Sequence, residues 1–189
     1  MLIYLHGFQS SPLSTKAQLL KQWCVLNRSD IHCALPALPP LPNEAVAMLT
    51  DLIASHKDRY KIGIVGGSLG GYYATWLNDI FNFKTVVINP AVYPYKLLQN
   101  YMGEQQHPYT KERFVLTKQH MLDLKAIEVQ KISNPSTIWL LQQKGDEVLN
   151  YRQAIAKYHA AKQTVENAGN HAFVGFDRYC EQIIQFLAL

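Results

Sequence analysis

The most constraining feature of the sequence is the stretch YKIGIVGGSLGGYYATWL, which runs from residue 60 to residue 77. Its apolar start, Ile62 to Val65, has the continuous hydrophobicity of an interior strand, and residues from about Leu69 to Phe81 have helical character. The bend between them, GGSLG, holds a serine flanked by glycines. Three explanations of Ser68 follow: a nucleophile at a sharp bend, part of a phosphate-binding loop, or a structural turn.

The rest of the chain alternates in the same way between short β-branched runs and helical stretches. Strands are predicted at residues 2–5, 31–35, 62–65, 85–89, 137–141 and 163–166. Their continuous hydrophobicity is typical of a parallel sheet covered on both faces. We therefore predict a doubly wound α/β fold with a mostly parallel sheet of about six strands and helices on both faces. A chain of 189 residues suits one hydrophobic core, so residues 1–189 are expected to form a single domain.

One segment breaks this alternation, from about residue 91 to residue 134. Two helical stretches there flank the polar loop MGEQQHPYTKER, and no strand is evident. We predict a short helical insertion over the sheet edge. His107, within the polar loop, is expected to be exposed to solvent.

Composition and charge limit the classes of partner. The net charge of +4 is mild and the basic residues are scattered, so nothing indicates nucleic-acid binding. No segment approaches the roughly 18 apolar residues of a membrane span, and the N-terminal residues MLIYLHG do not have the pattern of a secretory signal, so a cytoplasmic location is expected. The three cysteines form no CxxC pair, which leaves neither a disulfide framework nor a zinc site predicted.

The phosphate-loop explanation of GGSLG fails on its neighbouring residues. A Walker loop requires GxxxxGK, and no lysine follows Gly70 or Gly71. A dinucleotide fingerprint requires GxGxxG, in which Ser68 would have to be glycine, and the acidic ribose ligand expected about 20 residues later is missing. No nucleotide cofactor is therefore predicted, and no other cofactor or metal is required.

The nucleophile explanation agrees with the spacing of the glycines. A serine on a tight strand-to-helix bend needs small residues two positions before and two after it, and Gly66 and Gly70 occupy those positions. Such a bend also places the serine at a helix N-terminus, where the backbone N–H of Leu69 can stabilise an oxyanion. Because GxSxG also occurs by chance, residues elsewhere must decide between a nucleophile and a turn.

Downstream residues supply the partners that a serine nucleophile needs. A histidine must remove the hydroxyl proton and a carboxylate must orient that histidine. Asp146 in GDEVLNYR follows the predicted strand TIWLLQ, and His171 in GNHAF precedes the last helix, which gives the order Ser, Asp, His. Both are expected at the carboxyl edge of the sheet. Glu147 and Glu166 are alternative acids, and Asp146 is favoured because it lies in the turn directly after a strand.

A second oxyanion donor is expected from the loop after the first strand. The sequence HGF, residues 6–8, follows that strand, and Gly7 permits a close approach of the backbone. The N–H of Phe8 would then act together with that of Leu69. His6 precedes the serine, contrary to the triad order, and its side chain is expected to be structural.

Taken together, the motifs HGFQSSP, GGSLGGYYATWL, NPAV, GDEVLNYR and GNHAF resemble the small bacterial YqiA-type esterase family of the α/β hydrolases over nearly the whole chain. The resemblance implies a minimal α/β-hydrolase fold, a triad of Ser68, Asp146 and His171, and activity on small acyl esters. Acyl-CoA thioesters are an alternative substrate for the same triad. A non-catalytic binding protein on the hydrolase scaffold is the alternative from another class.

Overall fold

The computed structural model describes all 189 residues and is built around one six-stranded parallel sheet. In chain order the strands are β1 (Leu2–Leu5), β2 (Cys33–Ala34), β3 (Gly63–Gly67), β4 (Lys84–Ile88), β5 (Gly103–Gln106), β6 (Arg113–Leu116), β7 (Ile138–Gln143) and β8 (Lys162–Glu166). The sheet has the order β2-β1-β3-β4-β7-β8, while β5 and β6 pair separately as an antiparallel hairpin. The predicted α/β class and six-stranded sheet are confirmed.

Seven helices connect and cover the strands. They are α1 (Thr15–Asn27), α2 (Pro42–His56), α3 (Leu69–Phe81), α4 (Pro94–Leu97), α5 (Lys118–Ala126), α6 (Tyr151–Lys157) and α7 (Cys180–Leu187), with 3₁₀ turns at Leu98–Tyr101, Pro135–Thr137 and Phe176–Tyr179. None of the seven has the length and apolar character needed to cross a lipid bilayer.

Two hydrophobic clusters, one on each face of the sheet, explain why the strands are apolar throughout. Along β7, Ile138 and Leu140 join the cluster formed with α2 and α3, whereas Trp139 and Leu141 join the cluster formed with α1 and α7. Successive strand side chains point to opposite faces, so a sheet covered on both faces needs apolar residues at consecutive positions. The same layering brings the carboxyl ends of β3, β4 and β7 to one edge.

The second strand is shorter than the sequence predicts. Residues 31–35 are apolar or β-branched enough to indicate a strand, but only Cys33 and Ala34 pair, with Leu2 and Ile3 of β1. This strand lies at the sheet edge and has a neighbour on one side only, so tertiary pairing and not propensity sets its length.

The predicted absence of strands in the insertion is wrong. Between α4 and α5, residues of β5 and β6 pair in register, with Glu104 opposite Val115 and Gln105 opposite Phe114. The polar residues of GEQQ conceal this strand, because one face of the hairpin is exposed and only Phe114 and Leu116 of β6 are buried. The alternation in RFVL is the signal that indicates a strand facing solvent on one side.

Truncating a core side chain of β7 is expected to destabilise the fold. Leu140 is fully buried, so Leu140→Ala should lower the free energy of unfolding by about 2–5 kcal/mol through lost contacts and a cavity. Leu122→Ala is the matched control, because Leu122 on α5 is 51% exposed and should lose about 0.5 kcal/mol or less. Urea denaturation measures both variants, and equal losses would contradict the burial of β7.

Candidate active site

The bend at Ser68 is a strained backbone conformation held by surrounding hydrogen bonds. Ser68 has φ 54° and ψ −121°, a region that non-glycine residues adopt at a cost of about 1–3 kcal/mol. Its N–H donates to the carbonyl of Ile88 at 3.1 Å, and its carbonyl accepts from the N–H groups of Gly71 and Ala91, each at 3.0 Å. These bonds join the bend to the end of β4 and fix the serine between β3 and α3.

Packing explains why glycines flank the serine. A Cβ on Gly66 would overlap the backbone of Gly70 and lie 2.8 Å from the Cβ of Ala74. A Cβ on Gly70 would overlap the carbonyl of Leu5, since α3 starts directly against β1. The small residues of the GxSxG pattern therefore let the helix approach the neighbouring strand.

Three side chains from separate loops meet at this bend. The Oγ of Ser68 lies 3.1 Å from the Nε2 of His171. The other ring nitrogen of His171, Nδ1, lies 3.0 and 2.9 Å from the two carboxylate oxygens of Asp146. A carboxylate on Nδ1 keeps that nitrogen protonated, which leaves Nε2 as an acceptor for the serine hydroxyl.

The Asp146 carboxylate is fully buried and satisfied by defined donors. Its side chain has no exposed surface, while the side chain of His171 is 22% exposed. Besides the imidazole, Asp146 Oδ1 accepts from the N–H groups of Val148 and Leu149 at 2.9 and 2.8 Å. The two backbone N–H groups and the imidazole N–H are all donors, so this site suits a side chain that presents only acceptor oxygens to a histidine.

Neither alternative acid contacts the imidazole ring. Glu147 is exposed and accepts a hydrogen bond from the backbone N–H of His171 at 2.9 Å, which lowers the pKa of its carboxyl group. Glu166 is bound instead by Gln143, Arg178 and Tyr179. Of the three acids considered from the sequence, only Asp146 reaches His171 Nδ1.

The loop after β1 passes directly against the serine. A Cβ on Gly7 would lie 3.1 Å from the Cβ of Ser68 and 3.5 Å from its Oγ, so a side chain here would crowd the serine. The chain turns at this point, with the N–H of Ser10 donating to the carbonyl of Gly7 at 3.3 Å. On the other side of the serine, α3 begins at Leu69, and an N–H in the first turn of a helix has no partner within the helix.

His6 holds this loop and lies in the protein interior. The backbone N–H of Leu38 donates to His6 Nε2 at 3.0 Å, so the ring proton lies on Nδ1, which donates to the carbonyl of Gly7 at 2.9 Å. Burial lowers the pKa of His6, which favours the neutral ring. These contacts are those of a structural histidine.

The sequence as a whole matches one described family. The model of "Uncharacterised protein family (UPF0227)" matches residues 1–188. The chain belongs to this family. One member, UPF0227 protein PM0825 from Pasteurella multocida (strain Pm70), is 22% identical over 197 residues, which cover 98% of both chains. This membership confirms the resemblance drawn from the sequence motifs.

Solved structures with a similar fold are α/β hydrolases. Est1E from Butyrivibrio proteoclasticus aligns with a TM-score of 0.77 at 14% identity, covering 99% of this chain and 86% of that one. Alpha/beta hydrolase domain-containing protein 10 from mouse aligns with a TM-score of 0.72 at 15% identity, covering 99% and 88%. At these identities the likeness establishes the fold, which is that of the α/β hydrolases.

In this UPF0227 member, Asn89 orders the loop that carries His171, and it is not among the site residues predicted from the sequence. Its side-chain Nδ2 donates to the carbonyls of Asn170 and His171 at 2.9 and 3.1 Å, and its Oδ1 accepts from the N–H of Gln143 at 2.9 Å. Asn89 directly follows β4, and an amide at the end of the apolar run TVVI, where the carboxyl edge of a parallel sheet is expected, is the signal that could have indicated it.

The hairpin of the insertion braces the loop after β1. The Phe8 ring packs edge-on against Tyr101 and Phe114, with centroids 5.8 and 6.3 Å away. His107 Nδ1 accepts from the N–H of Thr110 at 3.2 Å, so its Nε2 carries the proton and donates to the carbonyl of Ser10 at 3.0 Å. His107, predicted to be exposed, is buried, because the hairpin folds back onto this loop.

A cavity of about 300 Å³ opens beside the serine. Its walls include Ser68 and His171 together with the loop residue Phe8 and the helix residue Lys16. No group of three or more His, Cys, Asp or Glu side chains lies together in an arrangement that could hold a metal ion.

Proposed function

We propose that this protein is a serine hydrolase, a carboxylesterase that cleaves small acyl esters through an acyl-enzyme on Ser68. The observation that carries the proposal is the continuous hydrogen-bonded series from Ser68 Oγ through His171 to the buried carboxylate of Asp146. The α/β-hydrolase fold supports it, because Est1E and other esterases share that fold.

In the first half of the reaction, Ser68 Oγ attacks the ester carbonyl carbon while His171 Nε2 takes the hydroxyl proton. The carbonyl oxygen gains negative charge, which the backbone N–H groups of Phe8 and Leu69 would stabilise in this proposal. One such donor is typically worth about 2.7–4 kcal/mol in the transition state. The tetrahedral intermediate collapses as His171 gives its proton to the departing alcohol, which leaves the acyl group on Ser68.

In the second half, a water molecule replaces the alcohol. His171 Nε2 removes a proton from the water, the resulting hydroxide adds to the acyl carbon, and the proton then returns to Ser68 Oγ as the carboxylic acid leaves. Asp146 remains ionised throughout and stabilises the imidazolium that forms twice in each cycle. The 22% exposure of the His171 side chain provides a route for the water.

Labelling with a fluorophosphonate tests this proposal without knowledge of the natural substrate. We expect one covalent adduct per chain, on the peptide that contains Ser68, because only an activated serine attacks this phosphorus centre. Ser68→Ala should abolish the adduct, and Ser55→Ala, which removes an exposed hydroxyl on α2, should leave it unchanged. Intact-mass and peptide mass spectrometry give the readout. A wild-type chain without an adduct would favour the non-catalytic binding protein.

A further inference from the structure

Lys16 contributes a cation to the wall of the proposed catalytic cavity. It lies in the first turn of α1, and its Cε is 3.4 Å from the position that a Cβ on Gly67 would occupy, so the side chain runs along the residue before Ser68. Its Nζ donates to the carbonyl of Ala172, the residue after His171, at 2.9 Å. The lysine head is thereby held between the serine bend and the histidine loop.

This ammonium group has no acidic partner in the protein. No Asp or Glu oxygen lies within 4.0 Å of Lys16 Nζ, and the three ion pairs of the structure involve Arg28, His171 and Arg178. An ammonium has three N–H donors, of which the Ala172 carbonyl occupies one. Burial lowers the pKa of Lys16 to about 8, although Asp146 acts in the opposite direction. A desolvated cation without a counter-ion costs free energy, and a bound anion would recover it.

The two nearby carboxylates accept hydrogen bonds from groups other than Lys16. The Asp146 carboxylate accepts from His171 and from two backbone N–H groups. Glu147, on the rim of the same cavity, accepts from the backbone N–H of His171. Neither carboxylate contacts the ammonium, so no acidic side chain occupies the two Lys16 N–H donors that the Ala172 carbonyl leaves open.

A second unpartnered polar group lies in the same wall. The Oγ of Ser14 is buried and has no partner in hydrogen-bond geometry, although the Tyr4 hydroxyl lies beside it. Ser14 lines the cavity and is the N-cap of α1, yet its side chain does not cap the helix. The first turn of α1 also has no acidic residue, so the positive end of the helix dipole adds to the charge of Lys16.

We propose that Lys16 Nζ and Ser14 Oγ form a subsite for a carboxylate or similar small oxyanion on the substrate, which makes the substrate class acyl esters that carry a negative charge close to the ester bond. This inference rests on the proposed esterase activity of Ser68 and narrows its substrates. Lys16 would be a specificity-determining residue, and Ser14 would donate the second hydrogen bond to the same anion.

Matched charged and neutral esters test the subsite on both sides of the ester bond. For the acyl side the pair is the 4-nitrophenyl monoester of glutaric acid and its neutral glutaramate analogue. For the alcohol side the pair is the acetate esters of 4-hydroxybenzoate and 4-hydroxybenzamide. In at least one pair we expect the wild-type chain to favour the anion by about tenfold or more in kcat/KM, the gain typical of a hydrogen bond to a charged group.

The variants are compared through this charged-to-neutral ratio, which cancels changes in the overall rate. Lys16→Met should bring the ratio close to one, whereas Lys21→Met, which removes an exposed lysine from the same helix, should retain it. Ser14→Ala should lower the ratio by a smaller factor. Circular dichroism shows whether Lys16→Met folds. If it does not, Ser14→Ala still tests the subsite.

The outcomes separate the subsite from the esterase activity itself. Ser68-dependent hydrolysis with a ratio near one in both pairs would overturn the subsite and leave the esterase proposal intact. A ratio that survives in Lys16→Met would also overturn it, because another group would then recognise the charge. If none of the four esters is hydrolysed and the fluorophosphonate forms no adduct, the esterase proposal fails and the subsite falls with it.

Discussion

Replacing Ser68 by alanine is expected to lower kcat for 4-nitrophenyl butyrate by at least about 10⁴-fold, because the acyl-enzyme can no longer form. The change removes one oxygen atom. It leaves in place the backbone hydrogen bonds of the bend, in which Ser68 donates to Ile88 and accepts from Gly71 and Ala91. Alanine and serine both carry a Cβ, so the positive φ of this position has a similar steric cost for the two residues. The variant should therefore fold with a thermal midpoint close to that of the wild type.

Steady-state release of 4-nitrophenolate, with purified variant at high concentration, measures this loss. Ser55→Ala is the matched control, since it removes an exposed serine hydroxyl on α2 and should keep the wild-type rate. A Ser68→Ala chain that is folded and retains most of its turnover would refute Ser68 as the nucleophile.

Changing Asp146 to asparagine is expected to reduce kcat by about 10⁴-fold. In the wild-type chain the Asp146 carboxylate accepts a hydrogen bond from His171 Nδ1 at 2.9–3.0 Å, which leaves Nε2 free to accept one from Ser68. An asparagine amide could turn its NH₂ group toward Nδ1, and the ring proton would then lie on Nε2, where it prevents proton removal from the serine. The serine would remain in place without a base.

Glu147→Gln is the control for this prediction and decides between adjacent acids. Glu147 accepts a hydrogen bond from the backbone N–H of His171, and a glutamine oxygen can accept the same bond. We expect Glu147→Gln to lose less than about tenfold in kcat, measured on the same ester at the same pH. If Glu147→Gln lost more activity than Asp146→Asn, the orienting acid would be Glu147 and the assignment of Asp146 would be wrong.

The elements of the fold follow from local patterns in the sequence. Continuous apolar runs such as residues 62–65 indicate strands buried on both faces, because side-chain periodicity records which faces are buried. Boundaries shift where pairing decides them: β3 extends to Gly67, and β2 shrinks to two residues. The hairpin formed by β5 and β6 does not follow from the same pattern, because three of its four solvent-facing positions, Glu104, Gln106 and Arg113, are polar.

Within the candidate site, the sequence indicates positions by their order and by their place after strands. Ser68, Asp146 and His171 each follow a strand, and the carboxyl ends of parallel strands share one edge. The distances among these residues depend on the order β3-β4-β7-β8, which brings together side chains separated by 103 positions in the chain. No local pattern contains that information, because it arises from how the layers pack.

The sequence by itself determined that Ser68 sits at a glycine-flanked bend between a strand and a helix, since the chain reversal and the close approach to β1 require those glycines. Only the tertiary structure decided that Asp146, and neither Glu147 nor Glu166, reaches the imidazole ring of His171. Only it distinguishes Lys16 from Lys21, the other lysine of α1, because the sequence does not show whether a lysine ammonium lies in water or in a cavity beside Ser68. The desolvation of a side chain and the charges close to it depend on its surroundings, which only the folded structure supplies.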